Sequence, residues 1–370
     1  MHAQTLIEEV RRLIAIPSDQ DCTAIQNYLQ ERLPFLPWQR QYVDKIVEGQ
    51  PQFNLYAVFP ERPLIINTHV DTVPALGMPA PFTPKVVNGR VYGRGAVDTK
   101  GLIAALVVAL DTFYRQHQEI PVSIAFTVDE ENTSAIGSEM FAQLLTPDHF
   151  VLVLEPTGGR IGIRQAGSLE FKWHARGKPQ HAALFHRAVH PIRLLVELLH
   201  RAETALERPI NVLLFQGGWE HYATPREAHL LAEVLVRPGE RWETLEETLL
   251  TLTHQPPFAS HVQYQRVDSE NPLDFGHHFA TEALSRAYEQ ALGVPPVFDT
   301  VPSWTDAANF VKAGASCVIF GFGDLVRAHS DEEYITVEEL TLTAQVLYNL
   351  LSILSQSPQR TSTGRKPARR

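Results

Sequence analysis

The feature that most limits what this chain can become is a set of short apolar runs, each ending on ionisable residues. "PLIINTHVD" (63–71), "VSIAFTVDEE" (122–131) and "FVLVLEP" (150–156) are bounded by turn-prone residues and rich in β-branched and aromatic side chains. They read as buried strands. Between them stand "GLIAALVVALDTFYRQHQ" (101–118) and the helical "GSEMFAQLL" (137–145). The first half of the former is nearly all apolar, as a helix packed on a sheet requires. Strand, helix, strand, helix, strand predicts an α/β fold with a doubly wound mixed sheet, whose ligands gather at the carboxyl ends of the strands. Two amphipathic helices, over 4–16 and 23–33, are expected to precede it.

The pattern changes after Arg164. "SLEFKWHARG" (168–177) alternates apolar and polar residues, as a strand with one wet face does. A helix, a strand, a helix and a strand follow, up to "SHVQYQRVD" (260–268). This predicts an α+β module over 165–268, inserted between the two parts of a larger domain, 1–164 and 269–355. Two domains suit 370 residues. The last residues, 356–370, are polar and basic without an apolar face and read as a disordered tail.

Composition narrows the function classes. A net charge of −10 argues against nucleic acid as a partner, because phosphate binding needs a basic surface. Two cysteines far apart, Cys22 and Cys317, give no disulfide framework and suit a reducing compartment. The N-terminus lacks the continuous apolar core of a signal peptide, and no apolar run approaches the ~20 residues of a membrane span. The expectation is a cytoplasmic protein without a membrane partner.

The ionisable strand exits carry the chemistry. His69 and Asp71 end the first run, and Asp98 lies in the glycine-rich "YGRGAVDTKG" ahead of the buried helix. Glu130 and Glu131 end the second strand, Glu155 ends the third, and His329 follows "VIFGFGDLVRAHS". In a doubly wound sheet these ends converge, and such a set of imidazoles and carboxylates is what two zinc-like ions require. Two dications against Asp98, Glu131 and Glu155 leave one positive charge, which a bridging hydroxide would neutralise. Without metal, the same carboxylates would repel or take up protons. Asp71, two residues from His69, is placed to accept the second imidazole N–H. Of the consecutive Glu130 and Glu131, one can ligate while its neighbour acts as general base.

"NTHVDTVP", "GRVYGRGAVDTKG", "FTVDEEN", "LEPT" and "AHSDEEY" resemble, in order, the motifs of the dinuclear zinc exopeptidase and deacylase superfamily. That group includes acetylornithine deacetylases, succinyl-diaminopimelate desuccinylases and glutamate carboxypeptidases. The resemblance covers nearly the whole chain except the tail. It implies that His69 and Glu155 hold one metal, that Glu131 and His329 hold the other, and that Asp98 bridges them. Glu130 becomes the base, Asp71 supports His69, and a cis peptide is expected at Asp98–Thr99. The inserted module corresponds to a lid and dimerisation domain. Within it, His181 is expected to stabilise the tetrahedral intermediate and Arg237 to hold a substrate carboxylate.

The lid departs from the family pattern. Phe185, Arg187 and His190 stand where a proline and a Gly-x-Asn turn are usual, and Tyr222 stands in place of a substrate-binding asparagine. "GFG" (321–323) replaces Gly-Pro-Gly, and Ala166 replaces an arginine that the desuccinylase branch carries before Gly167 and Ser168. Trp304 and Asn309 either line the pocket or belong to the core and a helix surface. The expectation is a hydrolase holding two divalent ions, zinc first and cobalt or manganese as alternatives. Its substrate would be a small N-acyl amino acid, acetylornithine leading, and a homodimer would form through the lid. A dipeptidase or carboxypeptidase on the same scaffold and an inactive ligand-binding homologue are the alternatives. The presence of Glu130 argues against the latter.

Overall fold

The computed structural model describes residues 2–131 and 135–356. Its α/β character and mixed sheet agree with the expectation. The basic tail lies, beyond Gln356, outside the described residues, and the last helix, Val337–Gln356, runs up to that point.

The chain divides into two compact units, one of residues 1–163, 275–301 and 305–370, the other of residues 164–274 and 302–304. In the first, four parallel strands lie side by side in the order Ser123–Thr127, Leu64–His69, Phe150–Val153, Ser316–Ile319. From Leu64–His69 the chain moves to one side for its next strand and then returns to the other side for the one after. That reversal makes the carboxyl end of Leu64–His69 the switch point at which such sheets take up ligands. Antiparallel strands extend the sheet on both sides. Gln50–Ala57 and then Gln39–Val47 follow Ser123–Thr127, and Ile161–Gln165 follows Ser316–Ile319.

Both faces of the central strands are covered, which explains the continuous apolar runs. Leu64 and Ile66 join the core formed with the helices Lys100–His117, Phe279–Leu292 and Val337–Gln356. Ile65 points the other way, to Phe141 and Phe310 from the helices Ile136–Ala142 and Ala307–Lys312. A small antiparallel sheet of Lys85–Val87, Arg90–Tyr92 and Tyr334–Thr336 joins the glycine-rich loop region to the segment after His329.

The second unit is a four-stranded antiparallel sheet in the order Asn211–Gly217, Glu227–Val236, Gly167–Arg176, Val262–Glu270. Alternate residues Leu169, Phe171, Trp173 and Ala175 face the helices Pro191–Leu206 and Trp242–Thr253 and make a separate core. The buried Trp173 indole donates to Thr253 Oγ1 at 3.1 Å, so its polar group is satisfied.

Candidate metal centre

Each candidate side chain of the first unit stands on a strand exit or on a loop that the strands hold. His69 is the last residue of its strand and is 1% exposed. Its Nδ1 lies 3.1 Å from the backbone carbonyl of Asp71. The Asp71 carboxylate is farther, at 3.6 Å, and its Oδ2 instead accepts the Glu131 amide at 2.9 Å. The expected orienting role therefore falls on the main chain of Asp71, while its side chain ties the Glu131 backbone to the site. With Nδ1–H donating to that carbonyl, Nε2 of the neutral ring is the free ligand atom. It lies 3.2 Å from Asp98 Oδ1 and 3.7 Å from Glu155 Oε1.

On the other side of Asp98, His329 Nε2 lies 3.6 Å from Asp98 Oδ2 and 2.9 Å from Glu131 Oε2. Two donor sets result, His69 with Asp98 and Glu155, and Asp98 with Glu131 and His329; in each, the ligand atoms lie within 4.8 Å of one another. Asp98 offers one oxygen to each set. The peptide after it, Asp98–Thr99, is cis. The loop that carries it is crowded: at Gly95 φ is +81°, and a Cβ there would come within 2.7 Å of Thr72 Cγ2. Only glycine fits. Gly321 has a similar role beside Glu155, whose carbonyl oxygen would stand 2.6 Å from an added Cβ.

The electrostatics are those of a site built for cations. Burial, followed by neighbouring negative charge, holds Glu130, Glu131 and Glu155 above the usual carboxylate range. Burial opposes charge on His69, but Asp71, Asp98 and Glu155 outweigh it and raise its pKa well above the ordinary value. His329 is pushed up to about 10 by its bonds to Asp98 and Glu131. Burial acts to raise Asp98, yet its two histidines prevail and hold it below the usual range. One buried oxygen on each of Glu131 and Glu155 has no hydrogen-bond partner. Orphaned carboxylate oxygens are costly unless a cation meets them, and oxygen and imidazole donors of this kind fit two divalent ions.

The sequence reading missed Asp306. This buried residue accepts from Thr127 Oγ1 at 2.7 Å, and burial raises it to about 6. Its only signal was its place in "WTDAANF", beside a predicted helix start. Asn309 donates to Ser138 Oγ at 2.8 Å, which accounts for it as a packing group.

His181 and Arg237 belong to the second unit, together with the half-buried Trp304. His181 is exposed and caps the short helix Ala182–Arg187, its Nδ1 accepting the Ala183 amide at 3.2 Å. Arg237 is exposed in the turn after Glu227–Val236. Phe185 and Tyr222 are exposed, and His190 precedes the helix Pro191–Leu206. A third group of ligand-type side chains, His174, Glu227 and His229, lies on this unit's sheet. Its two imidazoles stack face to face, with ring centroids 4.2 Å apart and planes 14° from parallel, and His174 Nε2 lies 3.2 Å from Glu227 Oε2.

A doubly wound sheet with two carboxylate–imidazole sets sharing one aspartate at its switch point suits a metal-dependent enzyme, and the family match makes it a hydrolase acting on amide bonds. The chain belongs to peptidase family M20/M25/M40, whose model matches residues 65–353. The resemblance read from the five motifs is thereby borne out. A succinyl-diaminopimelate desuccinylase of Beijerinckia indica is 29% identical, over 94% of this chain and 97% of its own. An acetylornithine deacetylase of Myxococcus xanthus is 30% identical, over 70% and 71%. Human carnosine dipeptidase 1 shares the fold, with a TM-score of 0.75 over 96% of this chain and 97% of its own, at 16% identity. Among the described residues no helix is long and apolar enough to cross a membrane.

Proposed function

We propose that this protein is a dinuclear metal-dependent amidohydrolase that removes the acyl group from a small N-acyl amino acid. The observation that carries the reading is Asp98, one buried carboxylate facing His69 through one oxygen and His329 through the other. In this reading His69 and Glu155 hold one ion and Glu131 and His329 the other. Zinc suits the donor set, and cobalt or manganese also fits. Bound there, such ions supply Lewis acidity that polarises a carbonyl and acidifies a water.

The side chains do the rest. Glu130, whose proton affinity is raised by burial and by Glu155 and Glu131, takes a proton from the attacking water and returns it to the leaving amine. His181, its Nδ1 engaged by the Ala183 amide, keeps its proton on Nε2 and can donate it to the developing oxyanion. Arg237 is the candidate for holding the substrate carboxylate, because a guanidinium fork matches that group.

The acyl-removing reading is favoured over peptide cleavage by the names of the relatives at 29–30% identity. An N-acetylated basic amino acid such as acetylornithine is the leading substrate. Ala166, where a desuccinylase arginine would stand, argues against a succinyl group. The same reading includes a homodimer through the second unit, supported by the edge strand Asn211–Gly217, which exposes Val212, Leu213, Leu214 and Phe215. The test is a hydrolysis screen of N-acetyl and N-succinyl amino acids against dipeptides, with zinc, cobalt and manganese compared. Release of acetate from acetylated amino acids is expected. Turnover of dipeptides alone would overturn the assignment.

A further inference from the structure

Outside the metal-facing set, among the described residues of the first unit, Arg94 and Glu333 form an ion pair in which each residue is 1% exposed. Burying such a pair is worthwhile only when every donor and acceptor is met. Here both carboxylate oxygens and all three guanidinium nitrogens are engaged. Glu333 Oε1 accepts the amides of Val97 at 2.9 Å and Asp98 at 3.2 Å. Its Oε2 accepts Gly95 N–H at 3.0 Å and Arg94 Nη1 at 2.7 Å. Arg94 spends its remaining nitrogens on backbone carbonyls, Nε on Pro74 at 3.0 Å and Nη2 on Ala75 at 2.8 Å.

These contacts tie together three segments. Gly95–Asp98 is the loop that presents Asp98. Pro74 and Ala75 follow three and four residues after Asp71. Glu333 itself stands four residues after His329, whose backbone is held at φ +58°, a conformation few non-glycine residues adopt. One carboxylate thus grips the Asp98 backbone directly and anchors the segment carrying His329.

We propose that Glu333, with Arg94, is a positioning residue that sets the affinity of the centre for its ions, chiefly the one shared by Asp98, Glu131 and His329. The inference rests on the dinuclear reading of the site. Its chemical core is donor counting. Glu333 receives four donors, and a glutamine would present one oxygen and an NH2 group that meets other donors head on. Glu333→Gln is nearly the same size but cannot hold the loop as found.

The experiment is a zinc titration of metal-stripped, full-length protein against a chromophoric chelator, which yields two dissociation constants, with thermal unfolding of the metal-free protein alongside. For Glu333→Gln a roughly 10- to 100-fold weakening of one zinc is expected, the usual effect of losing a partner behind a ligand. The other zinc should weaken less. Arg94→Lys keeps the charge but loses the fork to Pro74 and Ala75; it should move the same constant in the same direction by a smaller factor, and serves if Glu333→Gln does not fold. Unchanged zinc constants in a folded variant, with only metal-free stability lowered, would reduce the pair to a structural role and overturn the proposal. Wild-type protein that binds no zinc would instead overturn the dinuclear reading itself.

Discussion

At the scale of single residues, the centre is a balance of charges that only a cation resolves. His329 is held at about 10, above its ordinary 6.5, by Asp98 and Glu131. A raised folded pKa contributes stability that is fully present below the unfolded value and is lost as pH climbs through the folded one. The raised carboxyls Glu130, Glu131 and Glu155 act with the same sign, and the depressed Asp98 opposes them only at acid pH. Metal-free protein is therefore expected to melt at progressively lower temperature as pH rises from 6.5 towards 10. Zinc should flatten that slope and release protons on binding. Melting curves across this range, with and without zinc, measure both. The residues of the centre were legible because strand exits concentrate polar groups where a doubly wound sheet binds ligands. Asp306 and Glu333 were not legible as parts of it, since their roles depend on contacts to Thr127 and to the loop before Asp98 that no local pattern announces.

At the scale of elements, strands buried on both faces and the helix over Lys100–His117 were readable from their apolar runs. The hairpin Gln39–Val47 with Gln50–Ala57 escaped notice, although Glu48 at φ +50° and Gly49 at φ +80° make the two-residue turn such strands favour. The Asn88–Gly89 turn between Lys85–Val87 and Arg90–Tyr92 is the same device, with φ +48° and +73°. The edge strand Asn211–Gly217 was missed because every residue in it is exposed, so it has no inward face to set a period. Packing in this layer is testable. Leu106 is fully buried in the helix core, and Leu106→Ala should cost about 2–5 kcal/mol in urea unfolding without changing zinc stoichiometry. A cost below about 1 kcal/mol would mean the site collapses freely, against the dense core around Leu106.

At the scale of the whole molecule, the chain folds as two units with separate cores, and the residues of the proposed reaction fall in both. The metal-facing residues belong to one, while His181 and Arg237 belong to the other. The departures from the family pattern at Phe185, Arg187, His190 and Tyr222 also fall in the second unit, which is why hydrolysis was easier to read than substrate. If that unit also mediates dimerisation, Leu214→Lys on its exposed edge strand should convert a dimer to a monomer in sedimentation, with the zinc centre intact. In the proposed reaction Glu130 moves the proton in a dinuclear hydrolase. This role is tested most directly by Glu130→Gln, carrying two zinc ions per chain, assayed on the best N-acyl amino acid from the screen. Full metal occupancy is expected, with turnover lowered about 100- to 10,000-fold. Wild-type turnover by that variant would contradict the role.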